Sequence, residues 1–138
     1  AAYFAGCAFT KSYVGYVHAI AHSLGGEYNV AHGLANAVIL PIVLEKYGST
    51  INRKLHKLAI AAGIADRSMP SDEAAALFIE EIKNMQKRFG IGTKITELRE
   101  KDIKKLSSYA NKEANPLYPV PVLMNTKELS EIYYELLM

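Results

Sequence analysis

Residues 16–41 read YVHAIAHSLGGEYNVAHGLANAVILP and contain three of the chain's four histidines, His18, His22 and His32. Apolar residues run on both sides of a Gly-Gly pair, which predicts two apolar helices joined by a short turn. Helices that are apolar on nearly every face are typically buried among other helices. The stretch therefore predicts an all-α fold in which a helical hairpin presents the histidines.

The rest of the chain continues the helical pattern. No stretch alternates apolar and polar residues with the period of a strand, and three prolines between Pro116 and Met124 indicate an extended connector. We expect a single domain, residues 1–138, of about six helices. The first predicted helix is Ala2 to Leu24 and ends at Gly25 and Gly26, the second ends at Gly48, and the third extends from an N-cap at Thr50 to Gly63. The fourth begins at an N-cap at Ser71, and its predicted buried residues are Phe78, Ile82, Met85 and Phe89. The fifth covers Lys101 to Ala114, and the last begins at a capping box formed by Asn125 and Glu128.

Composition excludes several classes of protein. The chain has 138 residues, of which 50% are hydrophobic and 22% charged, and its net charge is +2 without a basic block, so nucleic acid is not an expected partner. Lys11 and two histidines interrupt the apolar N-terminal stretch, so a membrane span is not expected either. The lone Cys7 predicts a buried, inert thiol in a reducing compartment, hence a cytoplasmic location. The start AAYFAGCAF lacks an initiator Met and an N-cap, which suggests a piece of a longer protein.

The spacing of the histidines leaves three interpretations open: a metal site, a catalytic site, or core residues that are close by chance. His18 and His22 lie four residues apart, so they share one helix face. His32 begins the next predicted helix, and a hairpin turn would bring its ring back toward them. A catalytic metal needs about three protein ligands and an open position. Glu27, expected in the turn, is the nearest carboxylate, and its simplest interpretation is a side chain exposed to solvent.

Beyond spacing, the chain resembles a known family. The pattern Ala5-Gly6, Ala8-Phe9, Gly15 and VHAIAHSLGGEYNVAHGLANAVILP is similar to the signature of the iron-containing (group III) alcohol dehydrogenases, and the similarity continues to ANPLYPVPVLMNTKELSEIYYELL. It extends over the whole chain. The resemblance implies the C-terminal helical domain of the dehydroquinate synthase-like fold. An N-terminal α/β domain that binds NAD or NADP would be absent from this chain, and the metal would lie in the cleft between the two domains.

The resemblance also implies roles for the histidines. His18 and His32 match two of the family's three histidine ligands to a divalent metal, Fe²⁺ or Zn²⁺, while the third histidine and an aspartate would precede Ala1. His22 matches a residue beside the nicotinamide and the substrate, which implies a catalytic, proton-handling role in contact with the cofactor. The implied reaction is hydride transfer between a primary alcohol or aldehyde and NAD(P), with the metal as Lewis acid.

Other residues near the motif have less defined expectations. Phe9 and Tyr13 precede His18 and are candidates for substrate-pocket walls, although core packing explains two aromatic residues equally well. Asn36 is expected to be a buried hydrogen-bonding residue that fixes the hairpin. His56, among Arg53, Lys54 and Lys57, is expected to be a surface residue.

The expected partners are a small alcohol or aldehyde and the N-terminal domain of the same protein, with a homo-oligomer as a further partner to consider. By itself the chain is expected to be inactive as an enzyme. Two alternatives stay open. One is a free-standing helical domain that has a binding or structural role and no catalytic activity. The other is a related zinc enzyme that resembles a glycerol dehydrogenase.

Overall fold

The computed structural model describes residues 2–138, and within them every regular element is a helix, which confirms the all-α prediction. The α-helices are α1 Ala2–Ser12, α2 Tyr16–Tyr28, α3 His32–Tyr47, α4 Asn52–Ala61, α5 Ser71–Arg88, α6 Ile103–Ala114 and α7 Thr126–Leu136. Short 3₁₀-helices, Gly48–Ile51 and Glu100–Asp102, precede α4 and α6. In this part of the chain, no helix has the length and hydropathy to cross a membrane.

Helix α2 lies at the centre of the fold. It packs against α3 on one side and α6 on the other, α7 closes the bundle against α6 and α3, and the α4–α5 pair attaches through α5 to α3. Each fully buried Leu, Ile or Tyr removes enough apolar surface from water to stabilise the fold by about 1.5–3 kcal/mol. The largest of these side chains are Tyr16, Tyr133, Ile20, Leu24, Ile39, Ile103, Leu106, Leu129, Ile132 and Leu136. The helix that carries His18 and His22 is therefore anchored in the core through Tyr16, Ile20 and Leu24.

The prediction of one continuous first helix is wrong. The helix is interrupted between Ser12 and Tyr16, where Tyr13 adopts a positive φ of 61° that helices do not allow. Helix α1 contributes little to the core, because Tyr3 is 78% and Phe4 75% exposed. Cys7 is consequently exposed, and the expectation of a buried thiol is wrong as well.

The end of α2 also differs from the prediction. Gly25 and Gly26 lie inside the helix, which continues to Tyr28 and ends where Asn29 takes the left-handed conformation, φ 56°. The amide of Asn29 donates to the Gly25 carbonyl at 2.9 Å. After glycine, asparagine is the residue found most often at this capping position, so Asn29 marks the end of the helix about one turn after the end predicted from the glycines. The connecting turn is thus Asn29 to Ala31.

Helix α3 runs through Pro41 without breaking. Proline has no amide hydrogen for the carbonyl four residues earlier, here that of Ala37. Gln86, a residue of α5 that is only 5% exposed, donates its Nε2 hydrogen to the Ala37 carbonyl at 2.6 Å. A side chain from a neighbouring helix thereby satisfies the group that the proline leaves unpaired.

We expect Gln86→Leu to lower the free energy of unfolding by about 1–3 kcal/mol, because the Ala37 carbonyl loses its donor. Chemical denaturation measures this change. In a Pro41→Ala background the backbone N–H at position 41 returns to that carbonyl, so the same substitution should cost less. Equal losses in the two backgrounds would contradict this account of the Gln86 contact.

The remaining helices match the predictions in number and in most boundaries. The capping box of Asn125 and Glu128 is confirmed, with the amide of each of Lys127 and Glu128 donating to Asn125 Oδ1. Thr50 and Ser71 do not cap helices: Thr50 lies in a 3₁₀-helix and Ser71 is the first residue of α5. The predicted buried stripe of α5 is partly wrong, since Met85 and Phe89 are exposed and Ala74, Ala75 and Gln86 are buried instead.

Candidate functional site

The three histidines of the opening motif form one cluster. The ring centroids of His18 and His32 lie 5.5 Å apart, those of His22 and His32 lie 5.3 Å apart, and those of His18 and His22 lie 6.0 Å apart. Two of the rings, those of His22 and His32, are stacked with an angle of 19° between their planes. The structure therefore brings the three side chains together, as the hairpin predicts. Their proximity does not by itself assign their roles.

Local structure explains the cluster. One helical turn of α2 separates His18 from His22, so both project from the same face. His32 is the first residue of α3, and the short turn that begins at the Asn29 cap reverses the chain before it. The packing of α2 on α3 then brings His32 beside the pair.

The cluster favours neutral imidazole at His18. Partial burial lowers the pKa of His18, and the neighbouring His32 and His22 rings lower it further, while Glu113 acts in the opposite direction. Metals bind the neutral ring, so this environment suits a metal ligand.

Asn36 contacts His32 rather than the other helix of the hairpin. Its Nδ2 lies 2.9 Å from His32 Nε2 and donates also to the His32 carbonyl at 2.9 Å. Both bonds are within α3, so the expectation that Asn36 fixes the hairpin is not met. Its Oδ1 is buried and has no hydrogen-bond partner among residues 2–138. An ion bound at His32 Nε2 would replace the hydrogen bond to this amide.

The carboxylate of the cluster was not among the residues predicted from the sequence. Glu113, on α6, accepts from His22 Nδ1 at 2.7 Å and from the hydroxyl of Tyr118 at 2.7 Å. A weak signal was available: Glu113 continues the spacing of the apolar positions Leu106 and Ala110, which places it at the border of the buried face of α6. Glu27, the carboxylate considered from sequence, is on α2 rather than in the turn and pairs with Lys105 at 2.6 Å.

A cleft of about 450 Å³ opens beside His18. Tyr13, His18 and Asn36 line it, together with apolar side chains that include Val17, Leu40 and Val120. Tyr13, one of the two aromatic residues considered for a substrate pocket, therefore lines a cleft next to the histidine cluster. Phe9 is not one of the residues lining this cleft and is 54% exposed on α1.

The fourth histidine lies apart from the cluster. His56, on α4, is half-buried rather than on the open surface, because Nδ1 lies 3.2 Å from Ser71 Oγ and Nε2 lies 3.0 Å from the Asp66 carbonyl. It ties α4 to the loop and the start of α5.

The donors of the cluster fit a divalent transition metal in their chemistry. Imidazole suits both Fe²⁺ and Zn²⁺. An ion bound at a ring nitrogen lies roughly 3 Å from the ring centroid, so two tetrahedral ligands have centroids about 5 Å apart, close to the His18–His32 separation. Within residues 2–138 no three His, Cys, Asp or Glu side chains are grouped closely enough to hold an ion by themselves.

Comparison with known proteins identifies the family. The sequence profile described as "Fe-containing alcohol dehydrogenase family, C-terminal" matches residues 1–137. The chain belongs to the iron-containing alcohol dehydrogenase family, as the resemblance of the histidine motif predicted.

Individual relatives carry alcohol and aldehyde activities in their names. The chain is 36% identical over 132 residues to the 1,3-propanediol dehydrogenase of Citrobacter freundii, an alignment that covers 94% of this chain and 34% of that protein. It is 32% identical over 110 residues to the lactaldehyde reductase of Escherichia coli K12, covering 78% of this chain and 29% of the relative. The chain thus spans about a third of the length of these relatives.

Solved structures share the fold. An alcohol dehydrogenase from Oenococcus oeni superimposes with a TM-score of 0.85 at 29% identity, over 96% of this chain and 35% of that one. The crystal structure of a 1,3-propanediol oxidoreductase gives a TM-score of 0.80 at 31% identity, over 88% of this chain and 32% of that one. The helical arrangement described here is therefore that of the iron-type alcohol dehydrogenases.

Proposed function

We propose that this chain is the helical, metal-binding part of an enzyme that interconverts a primary alcohol and an aldehyde with NAD or NADP. The observation that supports it most is the convergence of His18, His22 and His32 beside an apolar cleft, in a chain of the iron-containing alcohol dehydrogenase family. The protein that contains this chain would also contain a nucleotide-binding domain. We expect it to act in the cytoplasm.

In this proposal His18 and His32 hold Fe²⁺ or Zn²⁺, and the other ligands come from outside residues 2–138. The ring separation of 5.5 Å and the lowered pKa of His18 support a shared ion. Ring separations alone do not single out this pair, because His22 lies at a similar distance from both. The resemblance to the family assigns His22 to the reacting groups instead of the ion.

The chemistry divides between the bound groups and this chain. When bound, the ion would supply a Lewis acid for the substrate oxygen, and NAD(P) would supply or accept the hydride. His22 receives the hydroxyl proton of the alcohol at Nε2 and returns it when the aldehyde is reduced. The apolar side chains of the cleft, with Tyr13 at its wall, contact the substrate and exclude water.

An assay of the complete protein tests the function. With Fe²⁺ or Zn²⁺ and NAD(P)H, it should reduce short aldehydes such as 3-hydroxypropionaldehyde and lactaldehyde, and the 138-residue chain assayed alone should be inactive. A complete protein that binds no metal and reduces no aldehyde would favour the non-catalytic alternative. Activity on glycerol with Zn²⁺ and on no aldehyde would favour the glycerol dehydrogenase-like alternative.

His22→Ala in the complete protein should keep its metal but lower kcat by about 100-fold or more, since loss of a proton-transferring group typically costs about 10²–10⁴-fold. Elemental analysis and steady-state kinetics on the same preparation measure both quantities. His56→Ala is the control, because His56 lies outside the cluster. A metal-free His22→Ala protein would show that His22 is a ligand.

A further inference from the structure

The pair of His22 and Glu113 connects two helices that are far apart in sequence. His22 is on α2 and Glu113 on α6, 91 residues later, and the carboxylate lies 2.7 Å from Nδ1. A carboxylate only accepts hydrogen bonds, so in the neutral ring this contact places the imidazole proton on Nδ1 and leaves the lone pair on Nε2. The carboxylate therefore selects which nitrogen of His22 is available to the site.

The carboxylate is itself held in place. Tyr118 donates its hydroxyl hydrogen to the same Glu113 oxygen that faces His22. Burial and the hydrogen bond to Glu113 raise the pKa of Tyr118 to about 12, so the hydroxyl stays protonated as a donor. Two donors, one from α2 and one from the connector after α6, thus converge on one oxygen and fix its position.

We propose that Glu113 is the positioning residue of His22: it keeps the ring protonated at Nδ1, with Nε2 free, in the orientation that stacks on His32. This inference rests on the proposed function, since it assigns a purpose to the orientation of a proton-handling histidine. A carboxylate that orients an imidazole in one tautomer is a recurrent arrangement in enzymes that use histidine as a base.

The alternative role for Glu113 is a simple surface ion pair. The His22 side chain is 45% and the Glu113 side chain 34% exposed, and ion pairs this exposed contribute little to stability. Removing Glu113 should therefore leave the fold intact. The chain supplies a matched control in Glu27, which pairs with Lys105 across the same two helices at 2.6 Å.

The first test reads the tautomer of His22 directly. Long-range ¹H–¹⁵N NMR spectra of the 138-residue chain, recorded above pH 8, should show His22 as the Nδ1–H form. Glu113→Ala should convert it to the Nε2–H form or to a mixture, Glu113→Gln should retain part of the Nδ1–H form, and Glu27→Gln should leave it unchanged. A predominant Nδ1–H form in Glu113→Ala, or its absence from the unmodified chain, would overturn the proposal.

The second test uses the complete protein. Glu113→Ala should lower kcat by about 10- to 100-fold, the usual cost of losing a partner that orients an active-site ligand, with metal content and the KM for aldehyde unchanged. Glu113→Gln should recover part of the rate and Glu27→Gln should match the unmodified protein. An unchanged kcat in Glu113→Ala would overturn the positioning role. An inactive unmodified protein would overturn the proposed function instead, and the NMR result would still decide which tautomer Glu113 imposes.

Discussion

Replacing either His18 or His32 by alanine in the complete protein should remove metal and activity together. Each substitution deletes one nitrogen donor from a site that this chain would supply with two. Loss of a partner that merely orients a ligand already weakens metal affinity by about 10- to 100-fold, so loss of the ligand itself should cost at least about 100-fold. Metal content by elemental analysis and kcat/KM for aldehyde reduction should fall in parallel.

The contrast with the other histidines makes this result specific. His22→Ala should retain metal, and His56→Ala should retain both metal and activity, because His56 bonds only to Ser71 and the Asp66 carbonyl among the described residues. Adding excess Zn²⁺ to His18→Ala or His32→Ala should restore little activity. A His32→Ala protein that keeps stoichiometric metal would contradict the assignment of His32 as a ligand.

The largest stability effect is expected at Tyr133. This side chain of α7 is completely buried, and its hydroxyl contacts Ser23 Oγ of α2 and donates to the Leu106 carbonyl of α6 at 3.2 Å. Tyr133→Ala empties a large core volume and should lower the free energy of unfolding by about 3–5 kcal/mol. That change corresponds to a melting temperature about 10–20 °C lower for a chain of this size.

Two further variants separate the ring of Tyr133 from its hydroxyl. Tyr133→Phe keeps the packing and loses the hydrogen bonds, so we expect a loss of about 1–2 kcal/mol. Tyr134, the next residue, is 52% exposed, and Tyr134→Ala should change stability by less than about 1 kcal/mol. Thermal unfolding followed by circular dichroism measures all three. A Tyr133→Ala protein as stable as Tyr134→Ala would contradict the place of Tyr133 in the core.

Much of the fold could be predicted because its determinants are local. The apolar positions of α7, Leu129, Ile132, Tyr133 and Leu136, repeat at helical spacing and are all buried. The capping box of Asn125 lies within four consecutive residues and was equally visible. Sequence patterns therefore describe a helix well when its cap, its buried apolar positions and its end all lie within a short stretch of residues.

The errors in the fold prediction have tertiary causes. No proline marks the break at Tyr13, and the polar residues 10–12 just before it are equally compatible with one continuous helix. Gly25 and Gly26 have low helix propensity, yet α2 continues through them since α3 and α6 pack on either side. Likewise, the need for a buried Gln86 becomes evident only when α5 lies beside the Ala37 carbonyl that Pro41 leaves free.

The candidate site shows the same division. The three histidines could be found from a spacing of four residues and a hairpin, both of which are local features. The pairing of Glu113 with His22 could not be found in this way, because the two residues are 91 positions apart and meet only through the packing of α6 on α2. Of the two aromatic residues considered from the sequence, Tyr13 lines the cleft beside His18, whereas Phe9 does not.

A crystal structure of the complete protein with metal tests the central claim most directly, namely that His18 and His32 share one catalytic ion. Anomalous scattering at the metal edge should locate an ion within about 2.0–2.1 Å of one ring nitrogen of each, if the metal is Zn²⁺. His22 should remain bonded to Glu113 without touching the ion. An ion coordinated by His22 in place of His18 or His32, or located away from the histidine cluster, would contradict the account.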